Sequence, residues 1–399
     1  MAKRRFVIMV GLPHAGGGDL SARLASARDV LAEHGVTVPA RSAEESRHAG
    51  LEIRRLHAPH GLRRKDVEGS WARLCRRART SGARSQDAVL VAEELLAGAT
   101  PDQIDLLLDS LGSFEVHVVV LVADPAHQLA HAWAEALWHG CDLPFSRFAR
   151  RCLGREPGSG ASDGWALPWA DQDLPAVLHR WADELRRADR VHVVVADAER
   201  PVVDAAWTVV ARLVGVDPVA VPLPPVAAGG GVRPLDPAAL DVLREVNEST
   251  SAAATVPDRS TLVGSLTDGP AGPADNGADS GADSEAVARL LARLSEGSRE
   301  ALAALGERWV DALAHGGYAV TGDAGALRVP ADALSPADTA PTDPDLAHRL
   351  QLATDALADL VADTARLRQA VGDLEHRNAR LTKKLAKKKR TLRELLATG

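Results

Sequence analysis

Four short apolar runs constrain this chain more than any other feature: Phe6–Val10 (FVIMV), Ala88–Ala92 (AVLVA), Val116–Val122 (VHVVVLV) and Val191–Val195 (VHVVV). A strand with one wet face alternates apolar and polar residues. Near-continuous runs of this length belong to strands covered on both faces, as in a parallel sheet flanked by helices. Helical patterns separate the runs. Asp19–His34 sets Leu20, Leu24, Ala27 and Leu31 on one face and is stopped by Gly35. Residues 54–84 are arginine-rich and predicted helical. Thr100-Pro101-Asp102 caps a helix to about Leu111, and Asp124-Pro125 opens another to Trp138. Helices are also predicted over 145–153, 174–188 and 202–214. Val36–Pro39 follows the first helix as a further strand. The expected fold class is α/β, a three-layer domain with a mostly parallel sheet.

Aromatic residues make up only 3% of the 399 residues, so the core must be built from Ala, Val and Leu. The net charge of −7 argues against a chain that binds nucleic acid or a membrane surface over its whole length. Cys75, Cys141 and Cys152 are too few and too scattered for a disulfide framework or a metal knuckle. The basic start before Phe6 lacks the apolar length and cleavage site of a signal peptide, and no run reaches about 18 apolar residues. A soluble, cytoplasmic protein without a transmembrane segment is expected. His57 with His60, and His131 with His139, lack ligand partners at metal spacing, so no metal is expected.

Composition divides the chain. Residues 1–225 carry the α/β pattern. Residues 226–323 complete it with helices at 236–250 and 285–315, interrupted by a linker at 267–284 that has almost no apolar bulk. A second linker covers 324–343. Residues 344–397 keep a strict 4,3 spacing through Leu346, Leu350, Ala353, Leu357, Leu360, Thr364, Leu367, Val371, Leu374, Asn378, Leu381, Leu385, Lys388, Leu392 and Leu395. A seven-residue period sustained this long defines a left-handed coiled coil, and Asn378 at an a position favours a parallel pair. A homodimer through 346–395 is therefore expected. The basic stretch 376–393 within it is a candidate polyanion contact.

The first strand leads into a glycine turn, Gly11-Leu-Pro13-His14-Ala15-Gly16-Gly17-Gly18. As a triphosphate-binding loop it has the glycine spacing, but Gly17 and Gly18 stand where Lys and Ser/Thr are needed. As a dinucleotide loop its spacing is wrong. The wider stretch VGLPHAGGGDLSARLASARDVLAEHGVTVPA resembles the opening of bacterial sulfotransferase-family proteins, with their G-L-P-K-[TS]-G-[TS]-T loop. The later segments LVADPAHQLAHAWAEALWHG and ERWVDALAHGGYAVTGD are similar to that family's strand-plus-helix and C-terminal phrases. The likeness spans about 1–323.

The resemblance implies a P-loop NTPase-like, sulfotransferase fold. It also implies a loop whose backbone holds the phosphosulfate of 3′-phosphoadenosine 5′-phosphosulfate (PAPS), for transfer to a hydroxyl or amine acceptor whose identity is open. Gly11, Pro13, His14, Ala15, Gly16, Gly17, Gly18 and Asp124 would bind the donor. His14 would serve as a replacement cation. Glu93 and Glu94, at the end of the second strand, are read from their place as general bases, because carboxylates there would face the cleft, or else as a helix N-terminal acidic pair. The departures are specific. His14 replaces the loop lysine, Gly17-Gly18 the Ser/Thr pair, and Ala123 the arginine that holds the donor's 3′-phosphate. Ala130 and His131 stand where a helical serine is expected. The 54–84 arginines are candidate substitutes for the lost cations. The alternative is a catalytically inactive relative kept as a dimeric scaffold or partner-binding module.

Overall fold

The computed structural model describes residues 3–13, 15, 18–80, 88–154, 169–196, 202–224, 235–250, 280–329 and 343–397. Six strands form one all-parallel sheet: β1 (Arg4–Met9), β2 (Val36–Thr37), β3 (Ala88–Ala92), β4 (Phe114–Val122), β5 (Val191–Val195) and β6 (Ala319–Thr321), in the order β2-β3-β1-β4-β5-β6. The four apolar runs supply β1, β3, β4 and β5. Every residue of β3 is buried, as are Phe6–Met9 of β1. Helices cover both faces. Arg5 and Phe6 point to opposite sides of β1. Phe6 packs near Trp71 of α5 (Ser70–Thr80), while Arg5 donates to the Leu213 carbonyl of α10 (Val202–Val214). This is the expected three-layer α/β arrangement.

β1 lies between β3 and β4. The chain leaves β1 toward β2 on one side, whereas β4 leads to β5 on the other. The carboxyl ends of β1 and β4 thus flank a topological switch point, where an open α/β sheet forms a crevice.

The first predicted helix is two, α1 (Gly18–Ser26) and α2 (Arg28–Glu33), broken at Ala27; Leu20, Leu24, Ala27 and Leu31 are still all buried. Gly35 ends α2 at φ +78°, a left-handed conformation that glycine adopts without a Cβ penalty. The continuous helix expected over 54–84 is corrected. A helix precedes it, α3 (Ala43–Arg54), capped by Ser42, whose hydroxyl accepts from the Glu45 N–H. Gly61 and Gly69, both at positive φ, then break the chain around the single turn α4 (Arg64–Val67) before α5. Residues 81–84 lie outside the described residues.

α6 (Pro101–Ser110) has the predicted Thr100 cap, and α7 (Pro125–Trp138) has the predicted bounds. α8 (Phe145–Leu153), α9 (Leu174–Leu185) and α11 (Pro237–Thr250) also fall where expected. The 285–315 helix is two, α12 (Ser280–Leu291) and α13 (Glu296–His315), separated where Ser295 caps α13. The linker expected at 267–284 is thereby corrected at its end, since 280–284 are helical; 267–279 and 226–234 lie outside the described residues. β6 is an addition to the prediction. The second linker is also shorter than expected. Ala324–Leu327 form a 3-10 turn that buries Leu327 against α13, where a Cβ on Gly306 would stand 2.6 Å from the Leu327 carbonyl oxygen.

α14 (Asp343–Ala397) is one 55-residue helix. Its first turns pack on α11 through Leu352, Ala353, Ala356 and Leu360, with a His348–Asp236 hydrogen bond and an Arg349–Glu245 ion pair. Leu346, Leu350, Leu357, Leu367, Val371, Leu374, Leu381 and Leu385 stay 50–68% exposed. Among the described residues no helix is long and apolar enough to cross a membrane.

Candidate functional site

At the switch point β1 does not stop abruptly. Val10 N–H donates to the Val119 carbonyl and Leu12 N–H to that of Leu121, so the chain runs along β4 before turning. Gly11, Leu12, Pro13 and Ala15 are buried, and Gly18 opens α1. The strand lies where the sequence predicts it, and a helix follows the turn. His14, Gly16 and Gly17 lie outside the described residues. Gln128 of α7, fully buried, donates from Nε2 to the Pro13 carbonyl at 3.4 Å; its Oε1 has no partner among the described residues.

A cavity of about 220 Å³ opens beside this turn, between α1, α3 and the strand ends. Gly11, Ser21, Glu44, Arg47, Glu93 and Glu94 line it. Glu93 immediately follows β3, where its N–H donates to the Met9 carbonyl and ties it to β1. Its side chain caps the 3-10 turn Glu94–Gly98 by accepting from the Leu95 N–H at 3.2 Å. The carboxyl is buried, and burial pushes it up from 4.5 to about 7, against the lowering pull of the Leu95 N–H and of Arg47. A carboxyl near 7 exchanges protons readily at neutral pH, which suits a general base or acid.

Small residues on α3 make room for this carboxyl. A Cβ on Gly50 would meet Glu93 Cγ at 2.5 Å and Cδ at 2.8 Å. One turn earlier, the Ser46 hydroxyl donates to the Ala92 carbonyl at 2.6 Å and fixes α3 against the end of β3. Arg47, next to Ser46, is thereby brought to the cavity, where its Nη2 lies 3.3 Å from His60 Nδ1. Burial, and then Arg47, lower His60 below the usual histidine range.

A buried ionic cluster braces the turn that follows Glu93. Arg54 Nη1 donates to the Leu95 carbonyl at 2.7 Å, and its Nη2 pairs with Asp171 at 2.8 Å. Arg180 Nη2 donates to the Ala97 carbonyl. Burial raises the Asp171 carboxyl despite both arginines, and burial lowers Arg180. Gly98 is required here, because a Cβ would lie 2.1 Å from Asp171 Cγ.

The structure brings together Gly11 and Glu93, with Pro13 and Ala15 on the same turn. Asp124 is placed differently. It caps α7, accepting from the Ala126 and His127 N–H groups and from the His127 ring, at the end of β4 and outside the cavity lining. Ala130 is fully buried in the core, and His131 is half-buried. The 54–84 arginines do not reach the cavity among the described residues. Arg54 is held by Asp171, Arg77 by Glu45, Arg63 by Asp66, and Arg79 by the Ser110 carbonyl. The guanidinium that lines it, Arg47, comes from earlier in α3. Among the described residues no three His, Cys, Asp or Glu side chains are grouped to hold a metal ion.

The chain matches no family model, no curated protein and no solved structure.

Proposed function

We propose that this chain carries a group-transfer site of the sulfotransferase type, with PAPS as donor and a hydroxyl or amine acceptor. The buried Glu93 carboxyl, opening into a cavity at the switch point with a proton affinity near neutrality, carries this reading. In it, Glu93 takes the acceptor's proton as the acceptor oxygen or nitrogen bonds to sulfur. The sulfur–oxygen bond to the donor phosphate breaks, and adenosine 3′,5′-bisphosphate leaves with the electron pair. Charge that develops on the leaving phosphate needs fixed positive partners. The start of α1 offers backbone N–H groups and a helix dipole there, and Arg47 offers a guanidinium. At about 220 Å³ the cavity suits the reacting groups and part of a ligand, below the roughly 300–1,000 Å³ of a site that encloses a whole small molecule.

The exposed leucine stripe of α14 supports a second element of the proposal, a parallel homodimer through the seam of 346–395, of which Ala353 and Leu360 pack on the body instead. It equally supports the alternative, a non-catalytic dimeric scaffold built on the same fold. Calorimetric titration with adenosine 3′,5′-bisphosphate separates them. The catalytic reading expects micromolar binding by the wild type that is lost in Gly17→Asp and kept in Glu93→Gln. No heat of binding at millimolar ligand overturns it in favour of the scaffold.

A further inference from the structure

The 376–393 segment of α14 holds nine Lys and Arg residues and no Asp or Glu. Removing these nine from the chain's 47 cations leaves 38 against 54 acidic residues, a balance of −16. Of the 54 acidic residues 46 precede α14, and within α14 the segment is flanked by Asp373, Glu375 and Glu394. Among the described residues Leu360 is the last of α14 packed on the body. At 1.5 Å per residue the basic segment begins about 24 Å beyond it and ends about 50 Å beyond it. Both distances exceed the screening length of about 8 Å at physiological salt. The acidic body therefore neither neutralises the basic end nor repels an anion approaching it.

The segment is costly unless something answers its charge. Arg380 and Lys384, Lys383 and Lys387, and Lys384 and Lys388 are like charges at i,i+4, a spacing that destabilises a helix. An ordinary solvated face interleaves both signs. Arg377, Arg380, Lys384 and Lys387 recur at i, i+3, i+7 and i+10, one stripe of the helix, and the first three are exposed. This stripe lies beside the seam of Leu374, Leu381 and Leu385. Lys388 occupies a seam position itself, between Leu385 and Leu392, so the apolar contact is interrupted where the cations are densest.

We propose that this end of α14 is a sequence-independent docking surface for the phosphate backbone of a nucleic acid duplex. Nine charges over about 24 Å give one per about 2.7 Å of helix, and two paired helices give one per about 1.3 Å. A duplex carries one phosphate charge per about 1.7 Å. The segment offers no second apolar face and no aromatic residue for a lipid interface, because its leucines, Leu381, Leu385 and Leu392, fall on the seam. The proposal stands independently of the transfer chemistry.

The test uses the full-length protein and a short labelled DNA duplex, with an RNA duplex of the same sequence and phosphatidylserine vesicles as the other arms. The comparison variant combines Arg377→Gln, Arg380→Gln, Lys384→Gln and Lys387→Gln. Glutamine preserves helix propensity, and circular dichroism checks the fold. The expected result is wild-type binding to both duplexes that weakens on the order of 10⁴-fold between 50 and 200 mM salt. The variant's logarithmic salt slope should be shallower by about four. Arg377→Lys with Arg380→Lys, which keeps the charge, should bind like the wild type. No duplex binding at 50 mM salt, equal binding by the glutamine variant, or tighter binding to the vesicles overturns the proposal.

Discussion

Glu93→Gln should make this protein more stable at alkaline pH, although it removes a residue assigned to the site. The folded carboxyl protonates at about 7 and the ordinary value is 4.5. The unfolded chain therefore gives up this proton first as pH rises. Below pH 4.5 both states hold it, and Glu93 costs nothing in charge burial. Between 4.5 and 7 the unfolded state is increasingly favoured. Above 7 the full cost is present, about 3 kcal/mol at 1.36 kcal/mol per tenfold change in proton affinity. Glutamine keeps the shape and an acceptor for the Leu95 N–H but cannot ionise. Urea unfolding of wild type and variant at pH 5 and pH 8 reads the difference directly. The variant should gain about 2–3 kcal/mol relative to wild type between those two pH values. Parallel pH profiles for the two proteins would refute the reasoning, because they would mean that Glu93 ionises as freely in the fold as out of it.

Two further outcomes follow from features away from the cavity. Asp171→Ala leaves the Arg54 and Arg180 guanidinium groups buried without their carboxylate, and should cost about 3–5 kcal/mol in a denaturation midpoint measured at neutral pH. Leu374→Asp with Leu381→Asp puts charges into the exposed seam of α14, and should convert a dimer to a monomer in sedimentation velocity while leaving the near-ultraviolet dichroism of the α/β body unchanged. An unchanged sedimentation coefficient would remove the coiled-coil dimer.

The sheet was legible where strands are buried on both faces, because burial leaves an unbroken apolar signature. β6 carries no such signature: it is three residues long and two of them are exposed. α3 escaped notice for a different reason. Three of its five buried residues, Ser46, Ala49 and Gly50, contribute little hydropathy beside Leu51 and Ile53, and its role depends on packing against β3. The arginines of 54–84 favour helix by propensity, but Gly61 and Gly69 interrupt it. Glu93 was visible as an acid at the end of an apolar run. Arg47 was not, since tertiary contacts such as the bond from Ser46 to the Ala92 carbonyl bring that part of α3 to the cavity. Asp124 was visible as a cap before proline, and its hydrogen bonds are those of a cap.

β6 pairs with β5 through residues that come only after Val195 has been followed by α10 to α13. A ribosome adding about 5–20 residues per second needs roughly 6–25 s to cover that interval. Throughout it, β5 is a sheet margin with unpaired backbone donors and acceptors, and its sequence Val-His-Val-Val-Val has no formal charge at neutral pH and no proline. A nascent or truncated chain ending before Ala319 thus presents a surface ready to pair with another copy of itself. Three late residues convert that sticky margin into an interior strand.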